Sequence, residues 1–163
     1  MTENILCADF TERGTLAALH ALDRLDSAHD QGALELREAR VVVRDADGNA
    51  EVVGEVDHIS GATGWAVGGL VGALLGLVGG PKGALLGFGA GGLIGGGHDA
   101  RRVVETNEGL EELTAEIPPG STVVVADVKE TSTGPADKAL GPGVSRYLAT
   151  TVRQELEDIL STP

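Results

Sequence analysis

Residues 60–97 read SGATGWAVGGLVGALLGLVGGPKGALLGFGAGGLIGGG. Gly64, Gly68, Gly72, Gly76 and Gly80 recur at every fourth position. Past Pro81 and Lys82 the interval returns at Gly83, Gly87, Gly91 and Gly95. Residues four apart share one side of a helix, so each series describes a face without side chains. Glycine costs about 1 kcal/mol per residue relative to alanine inside a helix. Close approach of a second backbone into the groove offsets that cost. With Pro81 at the turn, the spacing predicts a glycine-zipper helical hairpin over 62–79 and 83–97, and the ladder glycines are its helix-packing and oligomerisation surface. A flexible linker would be polar. This stretch instead carries Leu70, Leu74, Leu75, Leu77, Leu85, Leu86, Phe88, Leu93 and Ile94.

The flanks differ sharply from this middle. The chain has 163 residues and a net charge of −13, yet between residues 60 and 97 the sole charge is Lys82. The expected organisation is therefore residues 1–59 as the first half of an α+β domain, 60–98 as the inserted hairpin, and 99–163 as the second half. The acidic balance and the lack of a Lys/Arg cluster beyond Arg101 and Arg102 argue against nucleic acid as a partner. Aromatic residues are 2% of the chain. Any core must be built from Val, Leu, Ile and Ala.

Outside the glycine-rich stretch the pattern alternates between strand and helix. Asn4 to Phe10 is a predicted strand with Cys7 inside it. Thr11 is a candidate cap for a helix ending near Asp30, marked by Leu16, Leu19, Leu22 and Leu25. Leu34 to Arg44 and Ala50 to Val56 read as a strand pair around the turn Asp45-Ala46-Asp47-Gly48-Asn49. A calcium loop there would need further oxygen ligands that the stretch lacks. A helix is expected over 101–117, stopped by Pro118, Pro119 and Gly120, then a buried strand over 122–128. Residues 131–143 read as loop with one helical turn near 136–140. A fifth strand over 144–152 and a short helix over 153–160 close the chain. Leaving the insert aside, the first six elements spell the ferredoxin-like split βαβ order, with an extra C-terminal strand and helix.

The opening strand Ile5 to Phe10, the hairpin Ala39 to Gly48, the glycine-rich stretch and Pro119 to Val125 together resemble a bacterial family. It is catalogued as domain of unknown function 1269, predicted membrane proteins with a glycine-rich helical hairpin. The resemblance spans nearly the whole chain in order. It implies this architecture and a membrane association, and it brings no catalytic residues. The present chain has more glycine and fewer bulky apolar residues in the hairpin.

No catalytic constellation stands out, so the chain is expected not to be an enzyme and to need no cofactor. GxSxG, CxxC, HExxH and the phosphate-loop pattern ending in Lys-Ser/Thr are absent. Cys7 is the only cysteine. That excludes an intrachain disulfide and fits a reducing cytoplasm. The start Met-Thr-Glu-Asn does not resemble a secretory signal. Asp57-His58 and His98-Asp99 mirror each other across the insert. They are either polar caps of an apolar hairpin or, in a weaker reading, a metal site of an enzyme.

The expected function is that of a non-catalytic, self-associating structural protein whose hairpin packs in or against a membrane. The alternative is a soluble homo-oligomer whose hairpins form a central core or small-molecule chamber. Ser60 to Gly80 is uncharged and long enough to cross a hydrocarbon layer of about 30 Å. Its few Leu and Val make insertion marginal, and the second leg is short. Leu70, Leu77 and Leu93 would remain exposed in a lone hairpin, so a homo-oligomer is expected in either setting. The expected location is the cytoplasm. If lipid surrounds residues 60–97, they attach the chain to the inner face of the cell membrane.

Overall fold

The computed structural model describes residues 1–58, 71 and 108–161. Their elements run β1 (Thr2–Asp9), α1 (Thr15–Asp30), β2 (Glu35–Arg44), β3 (Ala50–Asp57), α2 (Glu108–Ala115), β4 (Thr122–Glu130), α3 (Gly134–Leu140), β5 (Ser145–Leu148) and α4 (Ala149–Ser161). The strands form one antiparallel sheet in the order β3-β2-β4-β1-β5. β4 lies between β1 and β2, antiparallel to both, with Cys7 opposite Val125 on one side and Val41 opposite Val124 on the other.

Each strand presents alternate residues to opposite faces, and both faces are covered. On one face Leu6, Ala8, Val41, Val124 and Ala126 pack under Ala18, Ala21, Leu22 and Leu25 of α1 and Ala136, Ala139 and Leu140 of α3. On the other, Ile5, Cys7, Val42, Val123 and Val125 meet Leu113 of α2, Ile117, and Ala149, Val152 and Leu156 of α4. Val71 belongs to this second cluster and is fully buried in it. The scarcity of aromatics is met by small residues at the contacts, with Phe10 the largest fully buried side chain.

The α+β class holds, but the architecture predicted within it is corrected. Among the described residues the fold is a five-stranded antiparallel sheet with helices α1 to α4, and it gives no support to a helical hairpin. Residues 62–70 and 72–97, including every glycine of the two series, lie outside the described residues. The ferredoxin-like order expected from the first six elements is also not adopted. It would place the third strand between the first two. Here β3 folds back to the sheet edge as the hairpin partner of β2, and β4 takes the central place. The short turn Asp45–Asn49 makes β2 and β3 neighbours, as they would be in either order; the difference is that β4, not β3, pairs with β1 and with the inner edge of β2. Asp45 Oδ1 accepts from the backbone N–H of Asp47 and of Asn49, both at 2.9 Å, which closes the turn.

Smaller differences have equally local causes. Thr11 does not cap α1; its N–H and hydroxyl both donate to Asp9 Oδ1, and Gly14 stands at the helix start. The predicted fifth strand over 144–152 stops at Leu148, and its second half is the start of α4. Thr150, Thr151 and Val152 look strand-like because they are β-branched. The tertiary pattern overrides that, since Ala149, Val152 and Leu156 fall on one helical face and are all fully buried. The single turn expected near 136–140 is a helix from Gly134, opened by Pro135 in its first turn.

Gly141 ends α3 at φ +87°, with its N–H donating to Asp137 O at 2.8 Å. A Cβ there would stand 2.8 Å from Arg13 Nη1, which donates to the Leu140 carbonyl and whose guanidinium lies over the Phe10 ring. Gly141→Ala is therefore expected to cost about 1–2 kcal/mol through φ strain and displacement of Arg13. Urea unfolding checks this, and an unchanged midpoint would refute it.

Candidate functional site

The face of the sheet that receives α4 and Val71 is apolar at one end and charged at the other. Going along β1, β4 and β2, the positions of Ile5, Cys7, Val125 and Val42 give way to Glu3, Asp127, Glu38 and Arg40. A bulge supplies a further cation. The register of β2 against β4 shifts between Leu36 and Glu38, leaving Arg37 as the extra residue. A bulge sends two successive side chains to the same side, so Arg37 reaches the same face as Glu38. The Arg37 carbonyl accepts from His58 N–H at 2.8 Å.

The resulting cluster is dense and partly unpaired. Arg153 of α4 donates to Glu3 Oε1 at 2.7 Å. Arg40 donates to Glu38 Oε1 at 2.7 Å and stands 3.4 Å from Glu55. The backbone N–H of Val71 donates to the same Glu38 oxygen at 3.0 Å. Arg37 Nε lies 3.4 Å from Asp127 Oδ2 and 3.7 Å from Glu3 Oε1, close enough for attraction but not aligned for a hydrogen bond. Asp127 is wholly buried, and among the described residues neither of its carboxylate oxygens has a hydrogen bond, nor does Glu38 Oε2.

Burial decides the protonation of these acids. It pushes Asp127 up to about 7, the Glu3 charge adds to the rise, and Arg37 opposes it. Burial also raises Glu38, against the pull of Arg40 and of the Val71 N–H. A buried acid that keeps its proton near neutrality is a donor and a store of charge. Among the described residues no group of three or more His, Cys, Asp or Glu is placed to hold a metal ion.

A second cluster shows the satisfied alternative. On the α1 face Arg146 of β5 grips both oxygens of buried Glu130 at 2.8 and 3.2 Å and donates to Asp137 at 2.9 Å. Asn4 Nδ2 completes the shell of Glu130 at 2.9 Å. These contacts, Glu130 foremost, raise the Arg146 pKa. This group joins β1, β4, β5 and α3.

Of the histidine–aspartate pairs that mirror each other in the sequence, His98 and Asp99 lie outside the described residues. Asp57 closes β3, and His58 turns to α1: its Nε2 is 2.7 Å from Asp26 Oδ1 and its ring stacks on His29 at 4.2 Å. His29 Nδ1 accepts from Leu36 N–H at 3.0 Å, so that nitrogen is unprotonated. The partner of His58 is thus on α1. The glycine series expected to pack helices lies outside the described residues. Sequence reasoning missed Glu38, Asp127 and Arg37, although Asp127 interrupting the run Val123 to Val128 was a visible signal. The chain matches no protein-family model, no curated protein and no solved structure.

Two outcomes follow from the contrast between the clusters. The folded Asp127 binds its proton more tightly than the unfolded chain, whose value is near 3.8. Its stabilising contribution is therefore complete below about pH 4 and is lost as pH rises through 7. The loss is on the order of 4 kcal/mol at most. Asp127→Asn should flatten that part of the stability profile, measured by denaturant unfolding between pH 4 and 8; an unaltered slope would contradict the assignment. Arg146→Ala should cost about 3–5 kcal/mol by stranding Glu130, and a loss below 1 kcal/mol would show that Asn4 and solvent suffice.

Proposed function

We propose that this chain is a non-catalytic, self-associating protein in which the acidic sheet domain is a carrier and residues 60–97 make the association. The support is chemical. That segment is apolar, nearly uncharged and rich in glycine, which permits close backbone packing between copies. Its flanking domain is strongly acidic.

Two surroundings would satisfy such a segment: the inner face of the cell membrane, or the interior of a soluble homo-oligomer. The observation that favours the oligomer is Val71. Its side chain is fully buried against the domain's own sheet, and its N–H is bound to Glu38. A residue seated beside buried carboxylates is withdrawn from lipid, because charges are costly in a bilayer. The membrane reading, which the resemblance to the domain of unknown function 1269 implies, is the competing outcome of the test.

Cells expressing the full chain are to be broken without detergent and the fractions analysed by light scattering. The expected result is recovery in the supernatant as a particle of several 16.6 kDa chains. A monodisperse monomer would overturn self-association. Recovery in membranes that resists a high-salt wash would overturn the oligomer in favour of lipid.

A further inference from the structure

The α1 face holds a cleft that the charged cluster does not use. It lies between the C-terminal half of α1 and α3 and has a volume of about 450 Å³. Arg24, Ser27, Ala28 and Gln31 line one side, with Ala33 just beyond; Gly134, Pro135, Lys138 and Ala139 line the other. Four of the lining residues are small, namely Ala28, Ala33, Gly134 and Ala139. Such a volume suits a small organic molecule.

The charge of this cleft runs against that of the protein. The chain carries 25 acidic residues and 12 basic ones, yet among the described residues no Asp or Glu lines the cleft and two cations do. They come from opposite walls. Arg24 is held in place, because its Nε donates to the Ala139 carbonyl at 2.9 Å. That bond leaves both terminal guanidinium nitrogens without a hydrogen bond among the described residues. Lys138 likewise has no ion pair there. Ser27 and Gln31 add neutral donors one helical turn apart on α1.

We propose that this cleft binds a small phosphomonoester with an apolar body. Two cations on opposite walls balance a dianion, and a guanidinium anchored through its Nε leaves its terminal nitrogens for bidentate contact with phosphate. Ala28, Ala33, Pro135 and Ala139 supply apolar walls for the remainder of the molecule. A carboxylate would leave one cation unmatched, and a nucleic acid would meet repulsion from the rest of the surface.

The test uses 1-naphthyl phosphate titrated calorimetrically into the full chain. Saturable binding at one site per chain is expected. 1-Naphthol and inorganic phosphate should each bind at least about tenfold more weakly, since each lacks one half of the recognition. Lys138→Gln and Arg24→Gln should each weaken the ester about fivefold. Lys129→Gln, outside the cleft, should leave it unchanged. Ala28→Leu fills the space and should abolish binding while circular dichroism and melting stay those of the parent. The proposal is overturned if naphthol or inorganic phosphate binds as well as the ester, if Lys138→Gln has no effect, if Lys129→Gln weakens binding as much as Lys138→Gln, or if no saturable heat is seen.

Discussion

β4 is enclosed on four sides, and the rest of the molecule is arranged around that enclosure. Its two edges are hydrogen-bonded to β1 and β2, and its two faces lie under helices. Every residue from Thr122 to Val128 is buried. A strand so placed has no room for alternation between apolar and polar, which is why it reads as Val-Val-Val-Ala with one aspartate. β1 and β2 run parallel to each other because each is antiparallel to β4, and α1 is the crossover between them. Helices must then occur on both faces, and the chain supplies α1 and α3 for one and α2 and α4 for the other.

The same enclosure accounts for the contrast between the two charged groups. Glu130 stands at the end of β4, where β5 and α3 bring Arg146 and Asp137 within reach, and its lone pairs are filled. Asp127 lies three residues deeper, where the nearest guanidinium approaches edge-on through a bulge and hydrogen bonds are not completed. An ion pair at the rim of the sheet is thus a fastener, whereas the one within it is an unfinished network whose charge depends on acidity. Val71 touches this second network, its backbone N–H donating to the buried Glu38 carboxylate.

How far the sequence led can be judged from particular elements. The leucines of α1 at intervals of three, the turn at Asp45–Asn49 and the valine run of β4 each carry a local period, and all three elements are present. The placement of β3 at the edge is not local, since it depends on which partner β4 chooses. The switch at Ala149 was hidden because β-branched residues there resemble a strand until α4 is seen packing on Ile5 and Val125. Of the candidate site, the charges of Glu38 and Asp127 were visible as interruptions of apolar runs. Arg37 was not, because nothing in the sequence announces a bulge. His58 was singled out, but its partners Asp26 and His29 are joined to it only by the fold.

The central strand is also the fourth to leave the ribosome. Asn4 and Glu130 are 126 positions apart, yet they share a hydrogen bond. Until β4 emerges, β1 and β2 each present an unpaired apolar edge that has no other occupant in the final sheet. At equilibrium the long intervening segment matters little, because each doubling of a loop costs only about 0.6 kcal/mol in closure entropy. In time it matters more, since such distant pairings slow folding and prolong the exposure of strand edges to other nascent chains. The acidic surface, which repels identical copies, gives the unfinished sheet protection during that interval.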